Sequence, residues 1–163
     1  MFKKFYPDYK LKTIDDIDFG VFAEKGISYV LLDIDNTLVS YTSPLADERA
    51  RNFLAKLGEN DIKYAFVSNN HKDRVVKFAE EFGAFYIYDS AKPLLFGIKK
   101  AMRHLGAKKH NTALIGDQVF TDVYGGNRAG LLTFMVEPIE AKETPFFGVK
   151  RKLERIVLKN YKN

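Results

Sequence analysis

Five short apolar runs recur along the chain, and segments with helical spacing of their apolar residues lie between them. The runs are continuous rather than alternating and rich in β-branched and aromatic residues, a pattern typical of strands buried on both faces. They cover Tyr29–Leu32, Tyr64–Val67, Phe85–Tyr88, Thr112–Ile115 and Leu132–Val136. We therefore expect a central, mainly parallel five-stranded sheet.

Apolar residues at positions i, i+3, i+4 and i+7 predict helices between these strands. Three segments have this type of spacing: Ala50–Leu57, Val75–Phe82 and Leu95–Leu105. A glycine follows each of them, where a helix C-cap is expected: Gly58, Gly83 and Gly106. Strands that alternate with helices predict an α/β fold with three layers, α/β/α, of the Rossmann-like type.

Polar side chains follow the predicted strands at or near the points where they end. Asp33 follows the first strand, Ser68 the second and Asp117 the fourth, while Lys92 comes shortly after the third. Ligands of open α/β sheets bind at the carboxyl ends of the strands. We therefore expect these four residues to meet along one edge of the sheet.

The first candidate motif is DIDNTL, which runs from Asp33 to Leu38 directly after the first strand. One carboxylate there can attack phosphorus to form an acyl-phosphate, which divides one difficult step into two. A second carboxyl group, that of Asp35, can protonate the leaving alkoxide and later take a proton from water. Thr37 is a candidate supporting residue. The pattern is also typical of a turn in which Asp and Asn bond to the local backbone.

Two further motifs offer contacts for a phosphate group. The hydroxyl of Ser68 and the neighbouring N–H groups at Asn69 can hold phosphate oxygens, although the SNN sequence also fits an ordinary helix N-cap. Lys92, in the sequence AKP, can pair with the phosphate and with Asp33. A lone lysine is otherwise typical of a protein surface.

The fourth motif, GDQVFTD, offers two more carboxylates. Mg²⁺ prefers oxygen ligands, commonly one or two carboxylates together with waters and substrate phosphate. Asp117, after a buried strand, suits that role, and Asp122 is a candidate for a further ligand or for orienting Lys92. Asp122 also fits a first-turn helix carboxylate favoured by the helix dipole.

In this order, DIDNTL, SNN, AKP and GDQVFTD resemble motifs I to IV of the haloacid dehalogenase superfamily. The first has the DxDxT form of its phosphatases, and DNTLV, VSNN and GGNRAG look closest to the YqeG-type phosphatases of subclass IIIA. The resemblance implies that Asp33 is the nucleophile and Asp35 the general acid/base, with Ser68 and Lys92 holding the phosphoryl group. It further implies Mg²⁺ bound by Asp33, the Asp35 backbone carbonyl and Asp117, with Asp122 close by.

The composition limits the chemistry and the cellular location that we expect. The 163 residues include no cysteine, which excludes disulfides, thiolate metal sites and a thiol nucleophile. The N-terminal MFKKFYPDYK is charged but lacks the apolar core of a signal peptide, and no apolar run is long enough to cross a bilayer. We expect a cytoplasmic protein with a single hydrolase domain over residues 1–163.

The net charge of +5 is concentrated at the C-terminus, where Glu154 is the single acid among six basic residues from position 150 onwards. An apolar helical face in this segment is formed by Val149, Leu153, Ile156 and Val157. This basic amphipathic segment, about residues 146–163, either packs on the domain with a solvated basic face or lies on an anionic membrane surface.

No lid domain is encoded, because only 34 residues lie between Asp33 and Ser68 and only 23 between Ser68 and Lys92. An open site accepts a phosphate on a bulky or membrane-presented molecule. The YqeG-type group is also similar to the mitochondrial phosphatidylglycerophosphate phosphatases, which implies that lipid as substrate. Alternatives are a nucleic-acid end phosphatase, a phosphatase of soluble metabolites and a non-catalytic protein that binds phospho-ligands. The oligomeric state stays open.

Overall fold

The centre of the molecule is a six-stranded sheet in which all neighbouring strands are parallel. The structure, a computed structural model, describes residues 3–140, 145–159 and 161, and the side chains of all of these except 145–147. The strands are β1 (Tyr9–Leu11), β2 (Tyr29–Leu32), β3 (Lys63–Val67), β4 (Phe85–Ile87), β5 (Thr112–Gly116) and β6 (Leu132–Val136). Their spatial order is β1-β6-β5-β2-β3-β4.

Helices cover both faces of the sheet. They are α1 (Phe19–Lys25), α2 (Glu48–Glu59), α3 (Lys72–Ala79), α4 (Leu95–Leu105), α5 (Tyr124–Ala129) and α6 (Pro145–Leu158). Apolar side chains of α1, α2 and α3 pack against one face, and those of α4 and α5 pack against the other. The predicted three-layer α/β/α fold is therefore confirmed. None of the helices in the described ranges is long and apolar enough to span a membrane.

The strands next to the centre are buried on both faces, as their continuous apolar runs predict. In β2, Val30 and Leu32 belong to one core cluster and Leu31 to the other, and all three are 0% exposed. Between Asp33 and Ser68 the chain forms α2 and β3, and between Ser68 and Lys92 it forms α3, a short 3₁₀ turn and β4. All of these residues are described, and no lid lies among them.

Two details of the predicted fold were wrong. The sheet has six strands rather than five, because β1, only three residues long, adds to its edge beside β6. The carboxylate of Asp8 accepts hydrogen bonds from both the N–H and the hydroxyl of Thr133, at 2.8 and 2.9 Å, and so fixes the start of β1. Gly58 lies inside α2, which ends at Glu59, whereas Gly83 and Gly106 have the left-handed conformation expected of C-caps.

Two helical glycines give a matched test of packing around the sheet. A Cβ atom on Gly126 of α5 would lie 2.6 Å from the Cγ2 atom of Thr133, whereas one on Gly58 of α2 would meet no atom within 4 Å. We expect Gly126→Ala to lower the free energy of unfolding by about 1–3 kcal/mol because of this overlap. Gly58→Ala should raise it by about 0.5–1 kcal/mol because it restricts the unfolded chain. Urea denaturation measures both, and equal effects of the two substitutions would contradict the packing.

Candidate active site at the carboxyl edge of the sheet

The DIDNTL segment forms a tight turn at the end of β2. The N–H of Asn36 donates to the carbonyl of Val39 at 2.7 Å, and Asn36 has a positive φ of 64°. Such a conformation costs energy in a residue with a side chain and is common at functional sites. The amide group of Asn36 also exchanges two hydrogen bonds with the backbone of Glu140, after β6. This turn therefore fixes Asp33 and Asp35 against the ends of two strands.

The ammonium group of Lys92 lies at the centre of the site. Its Nζ atom is 2.9 Å from Oδ1 of Asp33 and 2.7 Å from Oδ1 of Asp122, and it donates to the carbonyl of Val67. The Lys92 side chain is only 2% exposed. Burial alone would lower the pKa of Lys92, but the carboxylates of Asp122 and Asp33 more than offset this and raise it. Lys92 is therefore a buried, charged residue and not a surface lysine.

The backbone around Lys92 is held by Asn69. The Oδ1 atom of Asn69 accepts from the N–H of Lys92 at 2.7 Å and from the hydroxyl of Ser90 at 2.6 Å, and its Nδ2 group donates to the Lys92 carbonyl at 2.9 Å. Asp89 and Ala91, on either side of Ser90, have positive φ values of 43° and 54°. The side chain of Asn69 thus fixes the strained loop that carries Lys92, and its predicted phosphate contact stays a prediction.

Ser68 and Thr37 lie next to these residues. The hydroxyl of Ser68, at the end of β3, accepts from the N–H of Asn70 at 3.0 Å, the arrangement of a tight turn. Ser68 is buried and follows Val67, whose carbonyl accepts from Lys92. The hydroxyl of Thr37 lies 3.4 Å from Oδ2 of Asp33. Both hydroxyls are therefore at the edge where the sequence predicts them.

Asp117 and Asp122 follow β5 and are both buried. Asp122 lies in a π-helical turn, Val119–Val123, and its Oδ2 atom accepts from the N–H of Gln118 at 3.1 Å. A Cβ atom on Gly116 would lie 2.3 Å from Cγ of Asp122, so only glycine leaves room for this carboxylate. The close approach of the turn to β5 accordingly brings Asp122 to Lys92.

The carboxylates of Asp33, Asp117 and Asp122 fit a divalent cation. Each offers an oxygen, and these oxygens lie within 4.8 Å of one another. The Oδ1 atom of Asp117 is buried and has no hydrogen-bond partner, although buried polar atoms are normally paired. Carboxylate oxygens are the ligands that Mg²⁺ prefers. The donor set and the unpaired oxygen therefore suit Mg²⁺, while a ligand role for the Asp35 carbonyl stays a prediction.

The carboxylate of Asp35 is separate from this cluster. Its Oδ2 atom accepts from the amide of Asn70 at 2.8 Å, and its Oδ1 atom lies 2.9 Å from the guanidinium of Arg74. Arg74, in α3, also donates to the carbonyl of Pro44 at 3.2 Å. The sequence reasoning missed Arg74, because no motif marks it and its partner lies 39 residues away.

Helix α6 closes one side of the site with polar residues. Arg151 pairs with Oδ2 of Asp117 and donates to the Asp117 carbonyl at 2.9 Å. Arg151 also lies 2.9 Å from Glu154, whose other carboxylate oxygen accepts from the N–H of Val119 at 3.0 Å. The sequence reasoning missed both residues. A single acid in a basic segment was the signal that could have indicated Glu154 as a buried partner.

Burial raises the pKa of two carboxyl groups of the site. It raises the pKa of Asp33 to about 8, with Lys92 opposing this and the charges of Asp122 and Asp117 adding to it. It raises the pKa of Asp117 to about 6, with Asp122 acting in the same direction and Arg151 against it. A bound cation would favour the ionised forms of both groups.

These pKa values predict how the stability of the metal-free protein depends on pH. Asp33 and Asp117 hold protons in the folded state at pH values where the unfolded chain, with a pKa of 3.8, has lost them. The free energy of unfolding in EDTA should therefore fall as pH rises, through both groups from about 4 to about 6 and through Asp33 alone from there to about 8. Each group contributes up to about 1.4 kcal/mol per pH unit within its range.

Chemical denaturation across this pH range, with EDTA or with saturating Mg²⁺, measures the effect. Asp33→Asn should reduce the slope, and Mg²⁺ should reduce it in the wild-type protein. Asp73→Asn, at an exposed position in the first turn of α3, is the control and should leave the slope unchanged. A slope of the wild-type protein that equals that of Asp33→Asn would show that Asp33 does not hold the extra proton.

Comparisons with known proteins agree with the motifs and the fold. The family model of the haloacid dehalogenase-like hydrolases matches residues 43–130, which include three of the four candidate motifs. The chain is 36% identical over 159 residues to "Probable phosphatase YqeG" of Bacillus subtilis (strain 168), a match that covers 97% of this chain and 92% of that protein.

A plant enzyme and a solved structure are also similar. Phosphatidylglycerophosphate phosphatase 1, chloroplastic/mitochondrial, of Arabidopsis thaliana is 30% identical over 168 residues, which cover 95% of this chain and 47% of that protein. The cobalt-bound form of the deoxy-D-mannose-octulosonate 8-phosphate phosphatase YrbI from Haemophilus influenzae shares the fold. Its TM-score is 0.53 at 17% identity, covering 83% of this chain and 89% of that one. The chain therefore belongs to the haloacid dehalogenase-like hydrolases.

Proposed function

We propose that the protein is a Mg²⁺-dependent phosphatase that hydrolyses a phosphate monoester through an aspartyl-phosphate on Asp33. The observation that carries this proposal is the buried ammonium of Lys92, shared by Asp33 and Asp122 beside the unpaired Oδ1 atom of Asp117. Phosphoryl transfer depends mainly on positioning and on charge neutralisation, and this site supplies both. The substrate that we propose is a phosphate presented at a membrane, such as phosphatidylglycerophosphate.

In the first step, a carboxylate oxygen of Asp33 forms a bond to phosphorus while the bond from phosphorus to the leaving oxygen breaks. Asp35 donates a proton to that oxygen. In the second step, water attacks phosphorus, Asp35 takes its proton, and the bond between Asp33 and phosphorus breaks. Inorganic phosphate leaves, and both carboxyl groups return to their starting state.

Three groups of the chain prepare this reaction. If Lys92 releases Asp122 or the Val67 carbonyl, it can donate to a phosphate oxygen while it keeps its hydrogen bond to Asp33. This lowers the repulsion between the carboxylate and the phosphate dianion. Ser68 and the N–H groups that follow it can bind the non-bridging oxygens. Asn70 and Arg74 hold the Asp35 carboxyl in one orientation. When bound at Asp33, Asp117 and the Asp35 carbonyl, Mg²⁺ supplies further charge neutralisation.

The distribution of exposed apolar side chains supports a membrane-presented substrate. Among the described residues, the large hydrophobic side chains that are exposed all lie at the carboxyl edge or on α6. We call five of them the apolar rim: Leu45, Tyr88, Leu94 and Ile139 in the connections that follow β2, β4 and β6, and Phe96 in the first turn of α4. The opposite edge of the sheet has none in the described part of the chain. The rim therefore lies at the same edge of the sheet as the candidate site.

Helix α6 continues this surface. Three exposed apolar residues on its outer face form what we call the α6 stripe: Val149, Leu153 and Ile156. The face that the sequence pattern marks as apolar thus points mostly to solvent, while Arg151, Glu154, Val157 and Leu158 contact the domain. The exposed basic residues Lys152 and Lys159 lie beside the stripe.

An anionic bilayer matches the α6 stripe better than other partners do. A second copy of the chain has the same net charge of +5, which opposes contact between two copies. A nucleic acid would be expected to meet aromatic side chains on which its bases can stack, whereas the stripe is aliphatic. Apolar insertion combined with basic residues is the usual way in which an amphipathic helix binds an anionic membrane.

The proposed activity is tested by phosphate release from phosphatidylglycerophosphate in detergent micelles, with p-nitrophenyl phosphate as a soluble ester in parallel. We expect release from the lipid that requires Mg²⁺, stops with EDTA and falls at least about a thousandfold in Asp33→Asn, because the nucleophile is lost. Lys56→Gln, at an exposed position in the last turn of α2, is the control and should keep full activity.

Other outcomes would separate the alternatives. Release from the soluble ester alone would preserve the Asp33 mechanism and contradict the lipid substrate. Release from a 5′-phosphorylated oligonucleotide at a higher rate than from the lipid would favour the nucleic-acid alternative. Folded protein that binds these esters but turns over none of them would favour a binding role.

Membrane contact is tested by sedimentation with lipid vesicles, either neutral or containing about a third anionic lipid. We expect binding to anionic vesicles only, and we expect Phe96→Gln with Leu153→Gln to weaken it about a hundredfold or more, because each inserted side chain contributes about 1.5–3 kcal/mol. Turnover of p-nitrophenyl phosphate should not change. Lys152→Gln should weaken vesicle binding, whereas Lys63→Gln, at the opposite edge, should not. Equal binding by all of these variants would contradict the proposed surface.

A further inference from the structure

One face of α6 contacts the edge of the metal site through a chain of polar groups. The guanidinium of Arg151 contacts both Oδ2 and the backbone carbonyl of Asp117. The Arg151 side chain is 26% exposed, whereas that of Asp117 is fully buried. The two contacts hold both the side chain and the main chain of Asp117. They come from α6, in which Arg151 lies 34 positions further along the chain.

Glu154 holds this arginine in place. One oxygen of its carboxylate lies 2.9 Å from Arg151, and the other accepts from the N–H of Val119 at 3.0 Å. Glu154 is 2% exposed, although it belongs to a helix with an exposed outer face. Burying ionised groups is costly, and apolar residues could attach a helix to a domain without that cost. The polar contacts that run from Val119 through Glu154 and Arg151 to Asp117 therefore do more than attach α6 to the domain.

The arrangement determines which oxygen of Asp117 faces the metal site. Arg151 occupies Oδ2, and Oδ1 stays buried and unpaired in the cluster with Asp33 and Asp122. We propose that Arg151 is a positioning residue that holds Asp117 with Oδ1 directed at the divalent cation, so that α6 is a required part of the metal site. The proposal rests on the proposed function, in which a divalent cation binds at Asp33 and Asp117.

The direction in which removal of Arg151 changes the metal affinity distinguishes a positioning role from simple electrostatics. A guanidinium beside a cation site repels the cation, so its removal would strengthen metal binding if charge alone mattered. If Arg151 orients the ligand, its removal weakens metal binding, because groups that orient metal ligands typically contribute about 10- to 100-fold in affinity. The two roles therefore predict opposite changes.

Direct binding of Mn²⁺ to the metal-free full chain, followed by the electron paramagnetic resonance of free Mn²⁺, measures this change. We expect Arg151→Gln to raise the Kd for Mn²⁺ about 10- to 100-fold. Arg151→Lys should recover part of the loss, because an ammonium can reach Oδ2 but cannot hold the carbonyl in the same fork geometry. Arg155→Gln removes the same charge from an exposed position of the same helix and should leave the Kd unchanged.

Kinetics give a second readout that a loss of folding would not imitate. With p-nitrophenyl phosphate, Arg151→Gln should raise the Mg²⁺ concentration for half-maximal activity, while kcat at saturating Mg²⁺ and KM for the ester stay near the wild-type values. Glu154→Gln keeps an acceptor for the N–H of Val119 and should have a smaller effect.

Three results would overturn the proposal. If Arg151→Gln binds Mn²⁺ as tightly as the wild-type protein or more tightly, only the positioning role of Arg151 is contradicted, and the phosphatase proposal stays intact. A loss of kcat in Arg151→Gln that saturating Mg²⁺ does not restore would also contradict only the positioning role. Wild-type protein that binds no divalent cation would contradict both the metal site and the role of Arg151.

Discussion

The structure depends most on the buried ammonium of Lys92. A charge without partners would be very costly at this depth, and the carboxylates of Asp33 and Asp122 and the carbonyl of Val67 offset that cost. Because Asp33 follows β2, Asp122 follows β5 and Val67 ends β3, one lysine joins the ends of three strands to the loop after β4. The positive φ values in that loop show how firmly it is held, since they persist only where the surroundings determine the backbone.

The sequence predicted the parts of the fold that follow from hydrophobic pattern, and it predicted the edge where the motif residues meet. Continuous apolar runs indicate parallel strands buried on both faces, and parallel strands bring their ends to one edge. β1 could not be predicted in this way, because its three residues have no continuous apolar run and pair with β6 at the edge of the sheet. Its position depends on Asp8 and Thr133, which are 125 residues apart.

The residues that sequence reasoning missed have one property in common. Arg74, Arg151 and Glu154 each lie on a helix, outside any motif. Arg74 and Arg151 contact a site residue far away in the sequence, and Glu154 contacts the backbone of the turn that carries Asp122. For α6, hydrophobic periodicity marks an apolar face but leaves open whether that face packs on the domain or lies on a membrane. Val149, Leu153 and Ile156 of this face are exposed, whereas Val157 packs against the domain. The polar face of α6 turns inwards instead, and there Arg151 contacts the buried Asp117 carboxylate.

The two faces of α6 would give an open site a means of discrimination if both proposed roles of the helix hold. A lid would exclude water and select a substrate by enclosing it, and the described segments between the motifs contain none. If the outer stripe contacts a bilayer while Arg151 holds Asp117 from the inner face, the helix places the metal site at the membrane surface in a fixed orientation. Selectivity would then come from where the phosphate is presented rather than from the shape of a pocket. Substrates at that surface would gain in effective concentration over soluble esters, and the same helix would keep the metal ligand in position.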